Sequence, residues 1–168
     1  DRSRGLGDVY KRQELSFCRN DTNSYLRKLL PHENKEKLYD AINYAVFSGG
    51  KRFRAFLVIQ AAKLFEIPKI RALQAASAIE TTHTYSLVHD DLPSMDNDDI
   101  RRGKPTVHKK WDEATAVLVG DALQAFAYQI LSDKKTHPKS EVRLNLIKTL
   151  SEASGYNGMV LGLSLIHI

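Results

Sequence analysis

The chain has 168 residues, 42% of them hydrophobic and 27% charged, with a formal net charge of +5. That size suits one domain, or a piece of one, with a real buried core; the single cysteine, Cys18, excludes an internal disulfide and fits a reducing, cytoplasmic setting. No run of eighteen apolar residues occurs, which argues against a stable membrane span, and the bases are dispersed without an aromatic-interleaved patch, which argues against nucleic acid.

Residues 1–13 show no helical or strand period and carry four basic residues. They read as a disordered leader or a scar, outside the fold. Tyr25, Leu26, Leu29 and Leu30 mark a weak helical pattern that Pro31 stops. Leu38, Ile42, Ala45 and Val46 mark the next helix, ending at Gly49-Gly50. From Lys51 to Phe65 the spacing of Phe53, Phe56, Leu57, Ala61 and Leu64 is helical again. Lys51, Arg52 and Arg54 crowd its start, where the dipole disfavours cations but free N–H groups suit an anion. A solvated basic turn explains the same residues equally well.

Pro68 opens a long helix to about Asp91. His83 lies seven residues before Asp90, on much the same face; His89 reads as structural, and Glu80 as either buried support or solvated. Asp112 is a good N-cap for a central helix to about Leu131, within which Asp121 is a candidate buried polar group. A last helix runs from about Ser140 to Ala153, and Gly155, Gly158 and Gly162 break the tail. No sustained strand alternation occurs, so the class is all-α.

Between the long helices, Asp90 to Asp99 holds five aspartates in ten positions, followed by Arg101, Arg102 and Lys104. Such a stretch repels itself unless compensated, and Asp90 and Asp91 lie at the negative end of a helix. Hard divalent cations such as Mg²⁺ take carboxylate oxygens, and guanidinium forks take phosphate. In an unbroken helix Asp90 and Asp96 would point about 120° apart. Pro93 ends the helix and allows the loop to bring Asp96 back. An EF-hand fails, because Arg101 and Val107 stand where glycine and glutamate are needed. No nucleophilic triad or P-loop is present.

Gly49-Gly50-Lys51-Arg52-Phe53-Arg54, His83, Asp90-Asp91 with Asp96, and Arg101-Arg102-Gly103-Lys104-Pro105-Thr106 together resemble the trans-polyprenyl diphosphate synthases, over roughly residues 26–162. The resemblance implies an isoprenoid-synthase-type helical bundle around a central cavity, here truncated. It implies a prenyltransferase that joins isopentenyl diphosphate to an allylic diphosphate, dimethylallyl or geranyl, with Mg²⁺ as cofactor and a homodimer when intact. Asp90 and Asp96 then resemble the Mg²⁺ ligands, supported by Asp91, and Arg101 the holder of the allylic diphosphate. Lys51, Arg54, His83 and Arg102 resemble the isopentenyl diphosphate pocket. Tyr85, five residues before Asp90, resembles the aromatic floor of the short-chain, farnesyl-forming type. A non-catalytic partner subunit or a geranylgeranyl-forming enzyme is the alternative. The family carries a second aspartate-rich motif that this sequence lacks. Residues 14–162 therefore read as the N-terminal half of a synthase domain, residues 163–168 as a foreign or frayed tail, and the chain as an inactive fragment.

Overall fold

Two long stretches rich in small and apolar residues, 69–90 and 113–132, become the helices against which the others pack. The computed structural model describes residues 2–30 and 36–168. In chain order these form α1 (Arg2–Leu29), α2 (Lys37–Phe47), α3 (Phe53–Leu64), α4 (Lys69–Asp90), the ribbon β1 (Ile100–Arg101) and β2 (Lys104–Pro105), α5 (Val107–Lys110), α6 (Glu113–Ser132), α7 (Ser140–Ser154) and α8 (Met159–His167). The class is all-α. Among the described residues the antiparallel ribbon, Ile100 opposite Pro105 and Arg101 opposite Lys104, is the only sheet.

Helix α4 is buried nearly all round by α1, α3 and α6. Its buried threonines bond locally. The hydroxyls of Thr81, Thr82 and Thr84 each donate to the carbonyl four residues back, at 2.7, 3.0 and 2.8 Å. Helix α6 is long and apolar enough to cross a bilayer by length and composition. Its Ala116, Val119, Leu123, Ala127, Ile130 and Leu131 are instead buried against α2, α4, α5 and α7. Asp112 caps it, accepting from the Thr115 N–H at 2.7 Å.

Several elements differ from the sequence reading. Helix α1 runs from Arg2, through the stretch read as a leader, where no proline interrupts it; Pro31, its expected stop, lies outside the described residues. Helix α3 turns Ala55 and Ile59 inward, while Phe53, Leu57 and Leu64 are 55%, 52% and 82% exposed. Apolar on nearly every side, α3 has no periodicity to choose a face, so the small Ala55 settles against Ala72 and Ala76. Asp121 is exposed. Gly162 lies inside α8, its N–H bonded to the Gly158 carbonyl at 3.1 Å. A lone helical glycine costs only about 1 kcal/mol, which its leucine neighbours outweigh.

The start of α3 is held by charge. Arg52 has left-handed backbone (φ +53°) and points inward. Its guanidinium pairs with Glu80 of α4 at 3.3 Å, both side chains only 3% exposed. Its Nε donates to Asn23 Oδ1 at 2.9 Å, its Nη2 donates to the Val46 carbonyl, and Glu80 also accepts the Ala55 N–H at 3.0 Å. One ion pair thus ties α1, α2, α3 and α4 together. Glu80→Ala would leave a buried, unpaired guanidinium, at a cost of about 3–5 kcal/mol. Urea unfolding should show this as a lowered midpoint; a change below about 0.5 kcal/mol would mean the pair is not a structural anchor.

Candidate functional site

Two charged clusters of opposite sign lie along α4. At its end, the chain after Asp90 folds back as the proline break requires. The Asp96 N–H donates to the Asp90 carbonyl at 2.9 Å, Asn97 to Leu92 at 3.0 Å, and Asp98 to Asp91 at 3.2 Å. This brings the carboxylates of Asp90 and Asp96 together with the imidazole of His167, their ligand atoms within 4.8 Å of one another. Asp90 Oδ1 is buried and accepts no hydrogen bond. Burial, and then the neighbouring Asp96, push the Asp90 carboxyl above its ordinary value. A buried carboxylate oxygen without a donor, facing a second carboxylate, fits a hard cation.

Asp91 is treated differently. It is buried, and its Oδ1 accepts from Arg101 Nε at 2.7 Å; Arg101 also reaches Asp98 Oδ2 at 3.3 Å. The hydrogen bond to Asp91 raises the Arg101 pKa. Burial pushes the Asp91 carboxyl up against that pull. Arg101 is therefore already bonded to protein acids.

About two helical turns back, or roughly 10 Å, His83 belongs to the second cluster. Here Lys51, Arg54, His83 and Arg102 line one open cleft together with Arg19 of α1. Arg54 Nη1 lies 3.3 Å from His83 Nε2. Because a guanidinium only donates, Nε2 is the acceptor and the ring proton sits on Nδ1. Burial, then the Arg54 charge, lower the His83 pKa to about 4, so the ring is neutral at pH 7. Arg102 forms the turn of the ribbon with Gly103, at φ +54° and +75°. Its Nη1 donates to the Gly49 carbonyl. A Cβ on Gly50 would stand 2.5 Å from Arg102 Nη1 and 2.8 Å from its Cζ, at φ +120°. Gly50 is thus more than a helix stop: it makes room for the guanidinium.

Beside the acids, Tyr85, His89, Leu92, Met95, Val117 and Val160 surround a cavity of about 620 Å³ that Asp90 also lines. Its size and apolar walls suit a small-molecule chain. Tyr85 meets the His89 ring edge-on at 5.4 Å. His89 Nε2 donates to the Val117 carbonyl at 3.0 Å, in a notch where a Cβ on Gly120 would overlap the ring. These contacts hold His89 against α6 and Tyr85.

The structure thus brings together Asp90 with Asp96, and Lys51, Arg54, His83 and Arg102 with one another, and it sets Arg101 against Asp91. Sequence reasoning misses Arg19 and His167, whose neighbours are far away in the chain, and the Arg52–Glu80 pair, which nothing local marks.

A family model described as polyprenyl synthetase matches residues 35–161. The farnesyl diphosphate synthase of Haemophilus influenzae is 50% identical over 128 residues, covering 76% of this chain and 43% of that protein. The crystal structure of an FPP/GFPP synthase from Zymomonas mobilis superimposes with a TM-score of 0.89 at 47% identity, covering 93% of this chain and 57% of that one. A geranyltransferase from Helicobacter pylori, complexed with magnesium and isoprenyl diphosphate, does so with a TM-score of 0.74 at 40% identity, covering 90% and 53%. The chain spans about half the length of the curated relatives it matches.

Two outcomes test this geometry. The His83 ring should titrate near pH 4 by NMR, against about 6.5 when unfolded. Its folded pKa is depressed, so its contribution to stability is complete above about pH 6.5 and is lost as the pH falls towards 4. A midpoint of 6 or above would mean the ring is solvated rather than pressed against Arg54. Gly50→Ala should destabilise the fold by about 1–3 kcal/mol through backbone strain and the Arg102 clash. Unchanged stability in urea unfolding would refute the cradle.

Proposed function

Given that this chain belongs to the polyprenyl synthetase family, we propose that the whole protein is a Mg²⁺-dependent prenyltransferase that condenses isopentenyl diphosphate with dimethylallyl or geranyl diphosphate to give farnesyl diphosphate. The observation that carries this is the order along α4: a carboxylate pair with an unsatisfied oxygen, an apolar cavity beside it, and a basic cleft two turns away. Two sites that suit two charged substrates, with an apolar space adjoining, fit a condensation of two diphosphates better than a cyclisation of one.

In this reading Asp90 and Asp96 hold the metal, with Asp91 and Arg101 supporting. Bound Mg²⁺ would supply Lewis-acid stabilisation of the departing pyrophosphate. Lys51, Arg54 and Arg102 bind the isopentenyl diphosphate, and neutral His83 offers its Nδ1–H rather than a charge. That cleft orients the isopentenyl double bond toward the allylic carbon. Tyr85, Leu92 and Val117 keep water from the allylic cation while the double bond attacks it. The C–O electrons leave with pyrophosphate, which then accepts the proton lost from the new chain. Tyr85, buried at 8% exposure under the acids, floors the cavity and limits the product.

A homodimer is part of the proposal; Leu118 on α6 and Leu144 on α7 are exposed and suit burial against a second copy. Light scattering that gives a monomer would remove it.

Incubating the whole protein with isopentenyl and geranyl diphosphates should yield the fifteen-carbon product; a twenty-carbon product would favour the geranylgeranyl reading, and no condensation a non-catalytic subunit. Chelation should abolish turnover and Mg²⁺ restore it, and Asp90→Asn should lower kcat roughly 10²–10³-fold. Tyr85→Ala should lengthen the product, seen by chromatography of the dephosphorylated alcohols. Unchanged chain length would exclude Tyr85 as the floor.

A further inference from the structure

The basic cleft has a wall that this reading leaves unused: besides the α3 turn, α4 and the ribbon, it is lined by Arg19, an exposed residue of α1. We propose that Arg19 is a further binding residue for the diphosphate held by Lys51, Arg54 and Arg102; the inference rests on reading this cleft as a diphosphate site.

Arg19 is placed there by packing rather than by a floppy helix. Its neighbour Cys18 and Thr22 are buried, at 4% and 0% exposure. Asn23, one turn further on and on the same face as Arg19, accepts the Arg52 Nε–H at 2.9 Å. The residue that anchors α1 is therefore part of the basic turn itself, and the next residue on that face toward the N-terminus is Arg19.

The nearby acids are already taken. Glu14 pairs with Lys63 at 3.0 Å, Asp21 with Lys69 at 2.6 Å, and Glu80 with Arg52. Arg19 forms no ion pair with a described residue. The cleft meanwhile has fewer available cations than its sequence suggests. Arg52 is turned inward, Arg102 shares its fork with the Gly49 carbonyl, and His83 is neutral at pH 7. Lys51, Arg54 and part of Arg102 remain for a ligand with several negative charges. A further guanidinium, from α1, can bind two of its oxygens at once. Helix α1 is then a wall of the substrate site as well as packing.

The test uses the whole protein without metal, titrated with inorganic pyrophosphate while the His83 ring is followed by NMR. Pyrophosphate should produce a saturable shift of that ring and raise its pKa. Arg19→Ala should weaken binding roughly three- to tenfold, more at low salt, and Arg19→Lys should recover most of it. Lys28→Ala, the same charge change in the last turn of α1, should leave binding unchanged. Wild-type affinity in Arg19→Ala, or an equal loss in Lys28→Ala, would overturn the role of Arg19 while leaving the cleft intact. No response of His83 in the wild-type chain would overturn the diphosphate reading, and this inference with it.

Discussion

The buried pair between Arg52 and Glu80 decides which way the Gly-Gly-Lys-Arg-Phe-Arg turn faces. Three bases within four residues could all point to water. Instead the middle one takes left-handed backbone and turns inward to a carboxylate in the middle of α4. Glu80 also accepts the Ala55 N–H, so it sets the distance between α3 and α4 as well as neutralising Arg52. With Arg52 inside, Lys51 and Arg54 are exposed on the cleft. A buried charge pair is weak support for stability by itself, because desolvation offsets most of the attraction. Its service here is orientation.

The ribbon performs a second division of labour. Arg101 and Arg102 are adjacent, yet one ends a strand and the other opens a two-residue turn with positive φ, the geometry that short hairpins prefer. The change in backbone direction sends Arg101 to Asp91 and Arg102 to the Gly49 carbonyl. Left-handed backbone at an arginine costs on the order of 1 kcal/mol, offset here by that hydrogen bond and by the flanking Gly103. The same two arginines in a helix would diverge by about 100° but leave from one level, and could not serve an acidic loop and a glycine turn together.

Much of this was legible in the sequence, and what was not has a physical cause. Strong local signals held: Pro68 and Pro93 bound α4, Asp112 caps α6, and the proline break returns Asp96 to Asp90. The all-α class follows from the same periodicity. Helix α3 is legible as a helix, but nearly all its sides are apolar, so its buried face is chosen by what packs against it. Asp121 is a candidate for burial on hydropathic surroundings alone, while the side it occupies on α6 is open. Gly162 was read as a break, although one glycine among leucines only weakens a helix. Arg19, Arg52 with Glu80, and His167 acquire their meaning only from contacts across the chain, which no local pattern encodes. Conversely, the spacing between His83 and Asp90 was readable because both lie on one uninterrupted helix, where sequence distance converts directly into direction.

The adjacent aspartates at the end of α4 show how one helix terminus can hold two charges for different ends. Both stand where the helix dipole is negative, and burial raises the pKa of both. Asp91 is compensated within the protein, by a guanidinium at hydrogen-bond distance. Asp90 has a buried oxygen with no donor, and its closest carboxylate neighbour, Asp96, aggravates the repulsion. Arg101 fixes the loop's base through Asp91, while Asp90 and Asp96 face each other and the His167 imidazole, 3.7 and 3.5 Å away. Pro93 stops the helix at Asp90, so that Asp91 takes the C-cap position and bonds inward to Arg101 while Asp90 remains on the cavity side.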